Sequence, residues 1–450
     1  MAEIKKILIA NRGEIVQRAI RTIREMGKKS VAVYSAGDKN ASYLKHADEA
    51  VCIGGAKSKD SYLNIPAIIT AAEMTGCDAI FPGYGFLSEN QDFVEICRLH
   101  NIKFIGPSVE VMEKMADKSK AKEEMIRAGV PVVPGSKGAV HSVTEGKVVA
   151  AEIGYPIMAK AAAGGGGRGM RLIKEESEFD QLFMAASSEA LAAFGDGTMY
   201  LERFINNPRH IEVQVVGDSH GNAIHIGERD CSLQRRHQKV IEESPAILLN
   251  DETRAKLHDV AVKATKYLKY EGAGTFEFLA DDKQNIYFME MNTRLQVEHP
   301  VSEMVSGIDI VELMIKVAEG EKVPSQESIK FKGHAIECRI TAEDPNSFLP
   351  SPGKVTQWMV PGGRNVRVDS HVYTNYVVPP YYDSMIGKLI VWGRDRNKAI
   401  NIMKRALAEF EVEGIRTTIP FHQKMMENED FISNNYDTKY LENYKNLDEL

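Results

Sequence analysis

Short apolar runs alternate with stretches of helical periodicity along the first hundred residues. The runs at 7–10, 31–34 and 79–81 are rich in Ile, Val and Ala, and their length predicts buried strands. The stretches at 15–26 and 65–75 repeat apolar residues at helical spacing and predict two helices. Because strands that alternate with helices build mostly parallel sheets with both faces covered, this part is predicted to be α/β.

The pattern changes after residue 112. Residues 113–129 are highly charged and predict one helix, which ends before Pro131 and the Pro134-Gly135 pair. A smaller unit then extends to residue 204. Its predicted elements are strands at 157–160 and 170–173 and a helix at 178–193.

Predicted strands dominate the chain beyond Gly197. The candidates are 211–216, 223–226, 274–279, 286–291 and 334–341. A helix is predicted at 310–319, with Asp309 as N-cap, Glu312 in the position of a capping box and Gly320 after its end. A final helix is predicted at 396–410.

Composition and charge narrow the class of protein. The 450 residues suffice for about two to four domains. With 56 basic and 63 acidic side chains the formal net charge is −7. A nucleic-acid-binding protein usually carries a strongly basic domain or tail, and the sequence has neither. We therefore expect no nucleic-acid partner.

The cysteines and apolar runs indicate a cellular compartment. The five cysteines are scattered without a C-x-x-C pair, which excludes a zinc motif and fits a reducing environment. Each is predicted to be a small buried hydrophobe. No apolar run approaches the roughly 20 residues that cross a bilayer, and the N-terminus does not resemble a signal peptide. We expect a cytoplasmic protein with no membrane partner.

A glycine run at 164–169 is the first candidate for chemistry. Five of its six residues are glycine, which costs backbone entropy on folding. It lies between two predicted strands, follows Lys160 and contains Arg168. Backbone N–H groups without Cβ atoms can surround a phosphate chain, so the run predicts a mobile lid over a nucleotide. A flexible solvent loop is the alternative. The P-loop pattern occurs nowhere in the chain.

Two acidic strands form the second candidate. Strand periodicity places Glu290, Asn292 and Arg294 on one face, and Met289 and Met291 on the other.

Glu277 stands between two phenylalanines on the preceding strand, and residues 281–285 form a polar turn. A hairpin centred between Lys283 and Gln284 places Glu277 opposite Glu290. Two opposed carboxylates need a cation, and with Asn292 they provide the hard oxygen ligands that suit Mg²⁺ or Mn²⁺. The alternative is an edge hairpin with solvated carboxylates.

Residues 228–239 form the third candidate, dense in charges and amides. They are predicted either as a solvated basic loop or as a phosphate and ribose wall facing the acidic hairpin. Cys231 lacks an identifiable activating partner, so a nucleophilic role is not favoured. His210 begins a predicted strand and could be a core histidine, a ribose contact or a base.

Six motifs together carry a resemblance to a known family. They are residues 9–15, 81–90, the glycine run, 228–239, 290–300 and 379–388. In this order they resemble the biotin carboxylase family of the ATP-grasp superfamily, and the resemblance covers essentially the whole chain. Ala163 and Phe81 are small departures, and neither falls on a proposed catalytic position.

The resemblance implies an α/β and α+β multi-domain fold. A Rossmann-like N-terminal domain is expected at 1–112 and a helical linker at 113–130. A two-part ATP-grasp unit follows: a small lid at 131–204 with the glycine run, and a larger region at 205–450 that combines the large subdomain with the C-terminal domain.

The resemblance also implies a reaction. ATP and bicarbonate form carboxyphosphate with Mg²⁺ or Mn²⁺, two ions being expected, and carboxyphosphate then carboxylates biotin on a carrier protein. The sequence contains no biotinyl-lysine motif and no carboxyltransferase domain. The biotin carboxyl carrier protein and the carboxyltransferase subunits are therefore expected as separate partners, and biotin is not attached to this chain. A homodimer is also implied.

Site roles follow from matching positions to the family motifs. Those implied for ATP are Lys118, Lys160, Gly165, Gly166, Gly167, Glu202, Arg203, Ile205, His210, Gln234, His237, Glu277 and Glu290. Those implied for bicarbonate and biotin are Tyr84, Arg294, Gln296, Val297, Glu298 and Arg339, with Glu298 as base and Arg339 stabilising the biotin enolate. The catalytic set is Glu298, Arg339, Arg294 and Lys239, and the metal ligands are Glu277, Glu290 and Asn292.

Three alternatives remain at this stage. Another ATP-grasp ligase would use the same lysines, glycine run and metal hairpin, but would not need residues 294–298 together with Arg339. A catalytically silent nucleotide-binding subunit should have lost a metal carboxylate or Glu298, and the sequence keeps them. Within the family, the subunit could serve acetyl-CoA carboxylase or a split pyruvate or other acyl-CoA carboxylase.

Overall fold

A computed structural model describes residues 3–161, 169–236, 238–444 and 449. Several predicted site residues lie outside this part of the chain: Gly165, Gly166, Gly167 and His237, together with the side chain of Lys118.

The N-terminal region is a parallel five-stranded sheet with order β3-β2-β1-β4-β5. Its strands are β1 (Lys6–Ile9), β2 (Lys29–Ser35), β3 (Glu49–Gly54), β4 (Ala79–Phe81) and β5 (Lys103–Phe104), and its helices are α1 (Glu14–Glu25), α2 (Ile65–Thr75) and α3 (Gln91–Leu99). The predicted alternation is confirmed. The sequence missed β3 because this edge strand is mostly exposed and has little apolar pattern.

Two helices replace the single one predicted at 113–129. They are α4 (Val109–Ala116) and α5 (Lys118–Arg127). Asp117 between them has an extended backbone, and its side chain accepts a hydrogen bond from the Lys120 N–H. An N-cap inside the charged stretch therefore ends one helix and begins the next.

A small antiparallel sheet, with order β7-β6-β8, forms the unit that carries the glycine run. Its elements are α6 (Val143–Ile153), β6 (Ile157–Ala161), β7 (Met170–Ile173), α7 (Phe179–Phe194) and β8 (Met199–Arg203). The predicted strands and helix are confirmed. This unit, which we call the lid, has its own apolar cluster around Phe179, Phe183 and Leu201.

Eight antiparallel strands form the large sheet, with order β13-β12-β9-β10-β11-β14-β19-β17. Its strands are β9 (Arg209–Gly217), β10 (Ala223–Arg235), β11 (Gln238–Ser244), β12 (Gly272–Ala280), β13 (Ile286–Asn292), β14 (His334–Thr341), β17 (Val366–Ser370) and β19 (Met385–Gly393). Four short strands lie outside this sheet: β15 (Gly353–Lys354), β16 (Gln357–Met359), β18 (Val377–Val378) and β20 (Glu411–Glu413). The five strands predicted beyond Gly197 are all present.

The remaining helices are α8 (Asp251–Tyr267), α9 (His299–Ser306), α10 (Ile310–Ala318), α11 (Arg396–Glu409), α12 (Ile419–Glu427) and α13 (Glu429–Ser433). The Asp309 side chain caps α10 by accepting from the Glu312 N–H, as predicted. The prediction that α11 is the last helix was wrong, since α12 and α13 follow it. The sequence also missed α8, whose buried face relies on small residues such as Ala261 and Ala264.

No helix among the described residues combines the length and apolar character that a membrane span requires. Four of the five cysteines are buried as predicted; Cys52 is exposed on the edge strand β3, so the prediction was wrong there.

Candidate active site

A cleft of about 890 Å³ lies between the N-terminal sheet and the large sheet. Its walls include the turn after β1, strands β10 to β13, and the segment that precedes β19. Twelve of the predicted site residues line it: Tyr84, His210, Gln234, Lys239, Glu277, Glu290, Asn292, Arg294, Gln296, Val297, Glu298 and Arg339. Residues far apart in sequence therefore meet in one cavity.

The acidic hairpin has the predicted register at the cleft. Glu277 on β12 lies opposite Glu290 on β13, and Thr275 lies opposite Asn292. A bulge next to this pair inserts Met289, so that nearer the turn Phe278 pairs with Phe288.

The bulge corrects one prediction about the faces of β13. Met291 is buried in the core as expected, but Met289 is 40% exposed and lines the cleft. Strict alternation fails here because the extra residue shifts the face by one position.

Glu277 is surrounded by donors. Its Oε1 accepts hydrogen bonds from Lys239 Nζ at 3.0 Å, Asn292 Nδ2 at 2.7 Å and Gln296 Nε2 at 2.9 Å, and its Oε2 lies 3.1 Å from His210 Nε2. Burial alone would raise the pKa of Glu277, but Lys239 and His210 outweigh it and hold the pKa well below its usual range. The carboxylate is therefore ionised at neutral pH.

Lys239 joins three carboxylates. Its ammonium pairs with Glu212, with Glu277 and with Glu298 Oε1, the last at 2.8 Å. Although burial opposes the charge, these carboxylates raise the pKa of Lys239 well above its usual value. Lys239 is therefore a fixed positive charge beside the acidic hairpin.

Glu298 lies between two cations. Arg339 Nη2 donates to Glu298 Oε2 at 2.9 Å, opposite the contact with Lys239. Burial acts to raise the pKa of Glu298, and the charges of Lys239 and Arg339 lower it below its usual value. Glu298 is ionised at neutral pH and can accept a proton.

Arg339 is held by a second acid. Its Nε donates to Glu242 Oε1 at 2.6 Å. Glu242 is fully buried, and burial raises its pKa to about 7 despite the adjacent guanidinium. The arginine side chain is thus fixed in direction by Glu242 and Glu298 before any substrate binds.

The segment after β13 contributes amide and guanidinium groups. Arg294 Nη2 donates to Asn292 Oδ1 at 2.9 Å, and Arg294 Nε donates to Glu89 Oε2 at 2.9 Å. The Gln296 amide reaches Glu277, and the Val297 carbonyl accepts from Lys388 Nζ at 2.8 Å. The segment is therefore tethered on both sides while facing the cleft.

His210 and Gln234 lie side by side on β9 and β10. Gln234 Nε2 is 3.0 Å from His210 Nδ1. Burial acts to lower the pKa of His210, but Glu212 and Glu277 overcome it and raise the pKa to about 9. A raised pKa favours the charged imidazolium and disfavours the role of a free base.

The lid residues stand apart from this cluster. Lys160 Nζ pairs with Glu202 Oε2 at 2.5 Å, and Lys122 reaches Glu202 Oε1 at 3.2 Å. Arg203 donates to the Ile153 carbonyl at 2.6 Å, and Ile205 is half-buried. None of Lys160, Glu202, Arg203 and Ile205 lines the cleft as the structure describes it.

Sequence reasoning missed Glu212 and Arg229, two buried members of the charge network. Glu212 on β9 contacts Lys239, His210 and Arg229. Arg229 on β10 also donates to Gln296 Oε1 at 3.1 Å. The signal was present, because polar His210, Glu212 and Gln214 alternate with apolar residues along β9.

The run 228–239 is not the solvated loop that was one of its two predictions. It spans the end of β10 and the start of β11, and several of its side chains line the cleft. Cys231 within it is fully buried, and burial raises the pKa of its thiol well above the usual value. A nucleophilic cysteine is thereby disfavoured, as the sequence indicated.

Three protein families match consecutive parts of the chain. The N-terminal domain of biotin carboxylase matches residues 3–112, the ATP-binding domain of the carbamoyl-phosphate synthase L chain matches 117–326, and the C-terminal domain of biotin carboxylase matches 337–443. A biotin carboxylase from Nostoc sp. is 56% identical over 97% of this chain and 98% of its own length. The chain belongs to the biotin carboxylase family. The resemblance found in the sequence motifs is confirmed, as is the multi-domain ATP-grasp fold.

Solved structures agree with this assignment to the biotin carboxylase family. A Campylobacter jejuni biotin carboxylase in complex with a β,γ-ATP compound is 68% identical, with a TM-score of 0.90 over 98% of this chain and 99% of that one. The biotin carboxylase domain dimer of Hydrogenobacter thermophilus 2-oxoglutarate carboxylase, with MgADP, ADP and bicarbonate, is 49% identical, with a TM-score of 0.87 over 98% of both chains.

Proposed function

We propose that the chain catalyses the ATP- and bicarbonate-dependent carboxylation of biotin on a separate carrier protein. The observation that carries this proposal is the array of Lys239, Glu298 and Arg339 beside the acidic hairpin in one cleft. It combines a base, two fixed cations and a set of hard oxygen donors. A catalytically silent subunit has no need of such an array.

In the first step Glu298 takes the proton of bicarbonate. The resulting oxyanion attacks the γ-phosphorus of ATP, the bond to ADP breaks, and carboxyphosphate forms. Bicarbonate is a poor nucleophile until it loses this proton, and an ionised carboxylate beside it supplies general base catalysis. Arg294, Gln296 and Val297 hold the bicarbonate, and Lys239 and Arg294 balance the negative charge that develops.

In the second step the bond between the carboxyl carbon and the phosphate oxygen of carboxyphosphate breaks, the departing phosphate takes the N1′ proton of biotin, and the N1′ nitrogen bonds to the carboxyl carbon. The ureido nitrogen is a weak acid, so its carboxylation needs a stabilised enolate oxygen. Arg339 provides a guanidinium that stays charged at any working pH. Tyr84 lines the same cleft and contacts the biotin ring.

Glu277, Glu290 and Asn292 fit a divalent cation. All three line the cleft, the carboxylates are in register on adjacent strands, and the donors are the oxygens that Mg²⁺ prefers. Mg²⁺ is favoured, with Mn²⁺ as substitute and two ions expected. When bound, the metal neutralises phosphate charge.

Glu290→Gln is expected to lower Mg²⁺-dependent ADP formation by about 100-fold or more. An unchanged rate at saturating Mg²⁺ would exclude Glu290 as a ligand.

The lid, the start of α5 and strands β9 and β10 supply the rest of the ATP site. Lys118, Lys160 and the glycines Gly165, Gly166 and Gly167 contact phosphates; Glu202, Arg203 and Ile205 hold the adenine; His210, Gln234 and His237 hold the ribose. Lys160 exchanges its partner Glu202 for a phosphate when ATP binds. Because carboxyphosphate hydrolyses readily, a closed lid that excludes water protects it.

The partners follow from the chemistry and from the family. The biotin carboxyl carrier protein delivers biotin, and carboxyltransferase subunits pass the carboxyl group to an acceptor. We favour acetyl-CoA as the acceptor, as in fatty-acid synthesis, with a split pyruvate or other acyl-CoA carboxylase as the alternative. The dimer of the Hydrogenobacter relative supports a homodimer here.

The test is ADP release from the purified protein with ATP, Mg²⁺ and bicarbonate, with and without free biotin. The proposal predicts release that requires bicarbonate and is stimulated by biotin, and that falls by about 100-fold or more in Glu298→Gln. Bicarbonate-independent hydrolysis, or hydrolysis insensitive to biotin, would instead indicate another ATP-grasp ligase.

A further inference from the structure

Lys388 is a fully buried lysine outside every role assigned so far. It lies on β19, in register with Arg339 on β14 and Asp369 on β17. Its side chain is 0% exposed. A buried ammonium is costly unless it is paired and hydrogen-bonded, so its partners show what it does.

One partner belongs to the bicarbonate segment. Lys388 Nζ donates to the Val297 carbonyl oxygen at 2.8 Å. This carbonyl belongs to the peptide group that connects Val297 to Glu298, and Gln296 precedes it. A hydrogen bond from a charged donor is about twice as strong as a neutral one. The ammonium therefore fixes the backbone that presents both the bicarbonate contacts and the base.

The other partner belongs to helix α1 of the N-terminal region. Lys388 Nζ lies 3.2 Å from Glu14 Oε1, and the hydroxyl of Tyr84 donates to the same oxygen. Glu14 begins α1 and is 2% exposed. The ammonium also lies 5.9 Å from the centre of the Tyr84 ring. One buried pair thus connects the biotin contact with the bicarbonate segment.

We propose that Lys388 is a positioning residue for the carboxylation reaction, holding Val297 and Glu298 in place for bicarbonate while its pairing with Glu14 fixes Tyr84 on the biotin side. This inference rests on the proposed function. It assigns the lysine a role that acts through the Val297 carbonyl and not by contact with substrate. The bicarbonate segment at Val297 and the biotin contact Tyr84 are thereby held at a constant distance from each other.

The test compares Lys388→Met, Glu14→Gln and the double variant. Lys388→Met removes the donor to Val297 and leaves Glu14 buried near Asp369 without this cation. It is expected to lower the thermal midpoint and to raise the KM for bicarbonate roughly 10- to 100-fold, since small displacements of a positioned group have effects of that size. The KM for ATP should stay within about twofold, because the lid is untouched.

The double variant separates positioning from stability. Glu14→Gln removes the charge left by Lys388→Met but keeps an amide oxygen for Tyr84, so the double variant should recover part of the lost stability. It does not restore the donor to Val297, and its KM for bicarbonate should stay as high as in Lys388→Met. The double variant also carries the measurement if Lys388→Met does not fold.

Lys28 provides the matched control. Its Nζ donates to the Ile4 carbonyl at 2.7 Å and pairs with Glu319 Oε1 at 2.6 Å, the same two kinds of contact at a site away from the cleft. Lys28→Met should lower the thermal midpoint without changing the KM for bicarbonate.

Two results would overturn the inference: an unchanged KM for bicarbonate in Lys388→Met, or recovery of that KM together with stability in the double variant. Absence of bicarbonate-dependent ADP release from the unmodified protein would instead contradict the proposed function itself.

Discussion

At the scale of single residues, the site is organised by charges that hold one another in place. Lys239 and Arg339 both contact Glu298, and Glu242 fixes the far side of Arg339. The sequence predicted Lys239, Glu298 and Arg339 through motif resemblance. It did not predict Glu242 or Lys388 as partners. Glu242 lies 97 residues from Arg339 along the chain, and Lys388 lies 91 residues from Val297, so only the folded sheet brings each pair together.

Replacing Arg339 should separate the two half-reactions. Arg339→Ala is expected to lower biotin carboxylation by about 100- to 1,000-fold, because the enolate loses its fixed cation. Bicarbonate-dependent ADP release without biotin should fall by less than about tenfold, since Lys239 still holds Glu298. Arg405→Ala, on the surface, serves as control. Equal losses in both assays would contradict the enolate role.

Glu242 should make stability depend on pH. Its pKa rises from 4.5 to about 7 on folding, so between these values the native state binds a proton that the unfolded chain has released. Stability therefore falls as pH rises through this window. Glu242→Gln should reduce that fall, measured by urea denaturation at pH values across the window. An identical pH dependence in the variant would show that Glu242 does not titrate there.

At the scale of elements, the hairpin of β12 and β13 shows what periodicity can and cannot predict. A hairpin centred between Lys283 and Gln284 was predicted to place Glu277 opposite Glu290, and this register is confirmed. The bulge places Met289 in the cleft, and neither the apolar pattern nor a turn residue in the sequence predicts it. Likewise α8 was missed because small residues such as Ala261 and Ala264 make up much of its buried face and lie among charged residues.

The core face of this hairpin should support the site mechanically. Phe278 is fully buried on β12, with its ring 6.2 Å from that of Phe288 on β13. Phe278→Ala is expected to lower the free energy of unfolding by about 3–5 kcal/mol, measured by chemical denaturation. Met184→Ala, at a side chain 53% exposed, should change it by less than about 0.5 kcal/mol. Similar effects of the two substitutions would contradict the packing described here.

At the scale of the whole molecule, the cleft is built from regions that lie far apart in the sequence. The large sheet contains strands from both the ATP-binding part and the C-terminal part of the chain, and the N-terminal region adds Tyr84 and Glu14. The fold class could be predicted from alternation and motif order. The relative placement of the lid could not, because it depends on contacts such as that of Lys122 on α5 with Glu202 on β8.

The separate core of the lid leads to a prediction about nucleotide binding. Because residues around Phe179 form their own apolar cluster, the lid can change position while keeping its internal structure. Hydrogen exchange should slow on adding ADP and Mg²⁺ at residues 131–204 more than in the strands of the N-terminal sheet. Equal protection of both regions would indicate that the lid does not respond specifically to nucleotide.

The most direct test of the proposed biotin carboxylation is the transfer of radiolabelled bicarbonate carbon to biotin by the purified protein with ATP and Mg²⁺. We expect labelled carboxybiotin from the unmodified protein, and loss of the label in Glu298→Gln and Arg339→Ala while both variants remain folded. Hydrolysis of ATP without any labelled biotin would contradict it, and would show that the cleft activates a different acceptor.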